Sequence, residues 1–100
     1  MATLHILSHS PFGDDRFASC LRLLKAGDGL LLTGDACNAL RGGSSACEAL
    51  ERLGSEIGVF GLQEDVQARA LNAFPARVES VDYAGFVELC CRYDRTNSWL

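Results

Sequence analysis

No stretch of this 100-residue chain approaches the ~20 consecutive apolar residues that a membrane-spanning helix needs, so no membrane span is expected. Runs of positive charge are missing as well. The nine basic residues, eight of them arginine, stand singly in a chain of formal net charge −4. A nucleic-acid binder presents a basic stripe that displaces counterions from phosphates, and an anionic membrane surface selects a polybasic segment. Neither partner is expected to bind directly. No G-x-G-x-x-G follows a strand and no G-x-x-x-x-G-K-[ST] occurs, so no nucleotide cofactor is expected. Cys20, Cys37, Cys47, Cys90 and Cys91 form no C-x-x-C and no paired Cys/His spacing, which argues against a metal site. The opening residues lack a positive region followed by an apolar stretch. With an odd number of cysteines, that pattern predicts reduced thiols and a cytoplasmic location.

What is present is apolar. Hydrophobic residues make up 48% and charged residues only 22%, a rich ratio for a single domain spanning 1–100. Part of that apolar surface is expected to remain exposed on the monomer and to mark a contact with another chain.

The order of elements follows from periodicity and breakers. A mostly apolar run at 2–7, bounded by Ser8-His9-Ser10-Pro11, predicts a buried strand. Asp14 or Asp15 can cap a helix to about Lys25, with Phe17, Cys20, Leu21 and Leu24 at helical spacing. A second strand is predicted at 30–33, then a helical stretch from Gly34-Asp35, interrupted by Arg41-Gly42-Gly43-Ser44 and resumed from Ser45 to Leu53. The third strand covers 57–62. The helix opened by Glu64 or Asp65 turns Val66, Ala70 and Leu71 inward and ends at Pro75. A fourth strand at 78–81 leads to a helix capped by Asp82 and running to about Tyr93, whose apolar face joins Tyr83, Phe86, Val87 and Cys90. Asp94 to Asn97 reads as a polar tail before Ser98-Trp99-Leu100. Strands alternating with helices predict an α/β fold with a mainly parallel sheet.

In such sheets reactive groups gather beyond the carboxyl ends of the strands. Here those ends carry Ser8-His9-Ser10, Gly34-Asp35-Ala36-Cys37, Gln63-Glu64-Asp65 and Asp82. Helix capping accounts for Asp35, Asp65 and Asp82 without catalysis. His5, inside the first strand, reads as a satisfied core or edge residue. Cys37, just inside a helix start, is the best thiol by position, because backbone N–H groups there favour a thiolate. Cys20 falls at the flank of its helix's apolar stripe, one turn after Arg16. That places it at the boundary, reachable from outside and beside a guanidinium, although a free cysteine most often serves as core. Cys47, Cys90 and Cys91 read as packing.

Several short signals recur in order along the chain: Leu4-His5, Ser10-Pro11-Phe12, Leu30-Leu31-Leu32 before Asp35, Leu62 and Asp65 ahead of Arg69, Val81-Asp82-Tyr83 with Phe86-Val87, and Trp99-Leu100. In this order and spacing the chain resembles the TusB/DsrH family of small sulfur-relay subunits. The resemblance implies a three-layer α/β/α fold of the DsrE/F/H-like kind, with about four to five strands. It implies a cytoplasmic heterohexamer with two related small subunits, TusC/TusD-like or DsrE/DsrF-like. That complex would take persulfide sulfur from an upstream carrier protein and pass it to a downstream acceptor, toward 2-thiolation of the tRNA wobble uridine. The principal sulfur-carrying cysteine would belong to a sister subunit, leaving this chain mainly structural, a non-catalytic or accessory subunit of a sulfurtransferase complex.

Ser19-Cys20-Leu21 resembles the setting of a first-helix cysteine in the sulfur-oxidising branch of the family. The resemblance therefore raises Cys20 to a candidate accessory persulfide carrier and lowers Cys37. Cys20 beside Arg16 is expected to alkylate faster than Cys90 or Cys91. Two other readings stay open: a DsrH-like subunit of a sulfur-oxidation DsrEFH complex, and a free-standing homo-oligomeric binding module without sulfur chemistry.

Overall fold

Five strands form one sheet: β1 (Thr3–Leu7), β2 (Gly29–Leu32), β3 (Gly58–Leu62), β4 (Val78–Val81) and β5 (Arg95–Trp99). The computed structural model describes residues 1–71 and 73–99. All pairings are parallel, in the spatial order β4-β3-β2-β1-β5. Between the strands lie α1 (Arg16–Leu23), a 3₁₀ helix (Gly34–Leu40), α2 (Ser45–Glu51), α3 (Gln63–Ala68) and α4 (Tyr83–Arg92).

This order explains the layering. The crossovers from β1 to β4 step in one direction, and their helices bury Phe17, Cys20, Ala36, Leu40, Leu50 and Val66 with Leu7, Leu30, Leu32, Val59 and Val78 on one face. The last crossover runs from one edge of the sheet to the other. Among the described residues α4 alone therefore covers the second face, where Leu89 packs with Leu4, Leu31, Phe60 and Val81. Alternate residues of β1 to β4 feed the two cores, as the pleat requires. β2 is central and buried along its whole length. Gly29 and Gly58 leave room for the ring of Tyr93: a Cβ on Gly29 would overlap its hydroxyl, and one on Gly58 would sit 3.1 Å from it.

Several expectations are corrected. The polar tail is a strand, β5, pairing Arg95 to Trp99 with Thr3 to Leu7. Leu100 lies outside the described residues. α3 stops at Ala68 rather than reaching Pro75, because the chain turns through Ala70 at φ 54°. Ala70 is exposed, whereas Val66 and Leu71 are buried as expected. The part of that helix expected at Asn72 falls outside the described residues. On α4 the inward residues are Leu89 with Phe86, Cys90 and Tyr93, while Tyr83 and Val87 face out at 59% and 61% exposure.

Two anchors were not foreseen. Ser44 caps α2, its Oγ accepting the N–H of Cys47 at 3.1 Å. Arg77 closes the other end of that helix. Its guanidinium donates to the carbonyls of Leu50 (3.1 Å), Leu53 (2.5 Å), Gly54 (2.9 Å) and Ile57 (2.8 Å). The cation thus sits where the last carbonyls of α2 gather negative charge, and it ties α2 to the entrance of β4.

Candidate functional site

The carboxyl edge of the sheet is closed by its own hydrogen bonds. Thr33 Oγ1 donates to the carbonyl of Leu7 at 2.9 Å, joining the exits of β1 and β2. Asp65 Oδ2 accepts the N–H of Gly34 at 2.7 Å, so the first turn of α3 holds the loop after β2. Arg69 donates to Asp35 Oδ1 at 2.8 Å and to the carbonyl of Asp65 at 3.1 Å. Of the three carboxylates expected as caps, only Asp82 acts so, accepting the N–H of Gly85 at 2.8 Å. Asp35 and Asp65 are structural too, but they bridge separate elements. Both carboxylates therefore help to hold loops together.

The thiols are arranged differently from the helical-wheel reading. Cys20 is fully buried beneath α1. Burial, reinforced by the carboxylate of Asp28, pushes its thiol up to about 12. The charge it senses is thus an anion, which disfavours a thiolate. Arg16 pairs instead with Asp14, whose carboxyl lies below the usual range chiefly because it accepts the backbone N–H of Arg16. The boundary position expected for Cys20 is corrected accordingly.

Cys37 is also fully buried, with its Sγ donating to the Leu32 carbonyl at 3.4 Å. Burial and then the Asp65 carboxylate push its thiol up to about 11, against the effect expected of a helix start. Cys47 is buried, and desolvation followed by Glu51 raises its thiol as well. Among the described residues Cys91 is the exposed thiol, on the outer side of α4. It was expected to pack. Sequence reasoning missed it because α4 covers its face of the sheet alone and leaves its outer side bare.

A second polar centre lies at the other end of the sheet. His5 and Asp28, 6% and 4% exposed, line a cavity of about 420 Å³ with Thr3, Lys25 and Arg95. Asp28 accepts the N–H of Thr3 and of Lys25, each at 3.0 Å. Burial pushes its carboxyl up, but those two N–H groups and His5 outweigh burial and hold it below the ordinary range. His5 Nδ1 accepts the indole N–H of Trp99 at 3.1 Å. His5 is therefore a satisfied core residue, as expected. Among the described residues no cluster of three or more His, Cys, Asp or Glu is placed to hold a metal ion. No helix among them is long and apolar enough to cross a membrane.

A family model described as "DsrH like protein" matches residues 9–96. The chain belongs to the DsrH-like family. Relatives named Protein TusB agree over 97 residues, covering 96% of this chain and 99% of theirs: 40% identity for the Erwinia tasmaniensis protein, 39% for Salmonella paratyphi B and 38% for an Escherichia coli strain. The crystal structure of the ychN protein from E. coli shares the fold, with a TM-score of 0.80 and 21% identity over 99% of this chain and all of that one. The DsrH-like match takes in α1, the carboxyl edge and α4. Cys20, Cys37 and Cys91 thus all lie within the family segment.

Proposed function

We propose that the chain is a subunit of a sulfur-relay assembly serving 2-thiolation of tRNA wobble uridine. It joins two related small subunits in a heterohexamer that receives persulfide sulfur from a carrier protein. The observation that carries this reading is its 40% identity to a Protein TusB over nearly the full length of both chains. The chain's part is mainly structural: its carboxylates tie loops together, and Asp28, whose carboxyl is held below the ordinary range, is internal. The acidic surface keeps RNA at a distance, so the tRNA would be modified by a downstream partner.

Cys20 belongs to this reading as an accessory carrier. Its thiolate would attack the outer sulfur of a donor persulfide. The donor S–S bond breaks, the proton stays on the transferred sulfur and the donor leaves as a thiolate. Cys20 has no exposed surface in the closed chain, so the transfer requires α1 to lift from the sheet.

The test is native mass spectrometry of the tagged chain isolated from its own cells. Six chains with two different small partners, together with loss of 2-thiouridine from tRNA when the gene is deleted, are expected. A one-sulfur mass increment at Cys20, lost on reduction, would mark the carrier. Intact 2-thiouridine with impaired sulfur oxidation would instead favour the DsrEFH-like reading, to which Ser19-Cys20-Leu21 leans. A homo-oligomer without sulfur adducts would overturn both.

A further inference from the structure

We propose that the groove between α1 and α2 seats a helix of a partner subunit. That helix would place an apolar side chain over Ala18 and Ala49, a basic group opposite Asp15 and an acidic group opposite Arg22. The inference rests on the partner reading above and assigns the surface on which it is realised.

The groove has a volume of about 400 Å³ and is lined by both helices and the loop that enters α1. Its floor carries methyl groups. Ala18 is exposed and Ala49 half-buried, so a second helix can approach nearer than long side chains would permit. Its walls are apolar: half-buried Leu21, and Phe12, which is 58% exposed although it is aromatic. An exposed aromatic beside a small-residue floor is the arrangement that anchors protein interfaces once water is expelled.

Charge then selects the occupant. Asp15 sits at the N-cap of α1, yet its side chain makes no capping bond, and the carboxylate stands exposed on the groove's rim. Arg22 is exposed as well, its guanidinium meeting the Ser19 hydroxyl at 3.3 Å. Seven positions separate them, two helical turns or about 10 Å along the axis. The rim is thus negative at one end and positive at the other. A partner helix with the opposite pattern docks in one direction, because reversing it sets like charges together. A small apolar ligand has no use for that spacing.

The test compares tagged chains isolated from their own cells. The wild type is set beside Ala18→Glu, Asp15→Asn and, on the outer face of α4, Val87→Glu. Ala18 is exposed and Asn caps a helix as well as Asp, so both groove variants should fold. Partner subunits recovered should fall about tenfold or more with Ala18→Glu and severalfold with Asp15→Asn, while Val87→Glu keeps them. Should Ala18→Glu prove misfolded by circular dichroism, Asp15→Asn decides. A photo-crosslinking benzoylphenylalanine at position 12 should join to a partner subunit.

A wild type that brings down no small subunits overturns the assembly reading itself. Groove variants that retain their partners overturn only the groove. So does a position-12 crosslink to a second copy of this chain, or to no protein at all.

Discussion

The indole N–H of Trp99 donates to Nδ1 of His5 at 3.1 Å, joining two residues 94 positions apart. The rings are tilted by 41° with centroids 6.2 Å apart. Since Nδ1 accepts, a neutral imidazole carries its proton on Nε2, which faces Asp28 Oδ2 at 3.6 Å. That separation is too long for a hydrogen bond but within reach of electrostatic attraction. The last strand is thus latched through the first strand to the turn before the second.

Removing the latch should loosen the edge of the sheet. In Trp99→Phe, buried Nδ1 of His5 loses its donor, at a cost of about 1–3 kcal/mol. Urea unfolding should report that loss, and hydrogen exchange should show the amides of β5 losing protection before those of β2. Unchanged protection in β5 would mean that backbone pairing alone holds the strand.

Asp28 makes acid stability a readout. Its carboxyl is depressed in the folded chain, so the stabilisation it provides is complete above the carboxylate range of the unfolded chain. That contribution is lost as pH falls through the lower folded value. Asp28→Asn should be less stable at neutral pH and should flatten the slope of unfolding free energy below about pH 4. A slope equal to the wild type's would assign acid sensitivity to other carboxylates.

Alkylation should order the thiols by access. Cys91 is exposed, whereas Cys20 is buried with its thiol pushed up to about 12. Near neutral pH Cys20 therefore stays a thiol, before access is counted. Iodoacetamide mapping by mass spectrometry should find Cys91 modified first, with Cys20 and Cys37 protected until unfolding. Modification of Cys20 at the rate of Cys91 would reveal that α1 opens readily.

Arg77 should be irreplaceable by lysine. A guanidinium reaches four carbonyls from α2 and the segment after it, and an ammonium cannot span that fork. Arg77→Ala is expected to cost about 2–4 kcal/mol in denaturant unfolding, and Arg77→Lys to recover less than half of it. Full recovery by lysine would reduce the role to charge alone.

The family was legible through resemblance, whereas periodicity and punctuation alone determined the alternation of strands and helices, the parallel class and the Asp82 cap. Each is local: apolar runs such as Leu30-Leu31-Leu32 bury wherever they are placed, and a carboxylate before a helix caps its own first turn. Tertiary structure alone decided what depends on a distant neighbour. Arg95, Thr96, Asn97 and Ser98 carry no apolar alternation, and they form β5 only because β1 offers an open edge and Trp99 finds His5. Asp35 and Asp65 look alike as caps until Arg69 and Gly34 are folded against them. The thiols make the same point. A helical wheel gives Cys20 an angle and leaves Cys91 among packing residues, but burial is set by what lies over each helix. Three crossovers roof one face and a single helix the other, which seals Cys20 and bares Cys91.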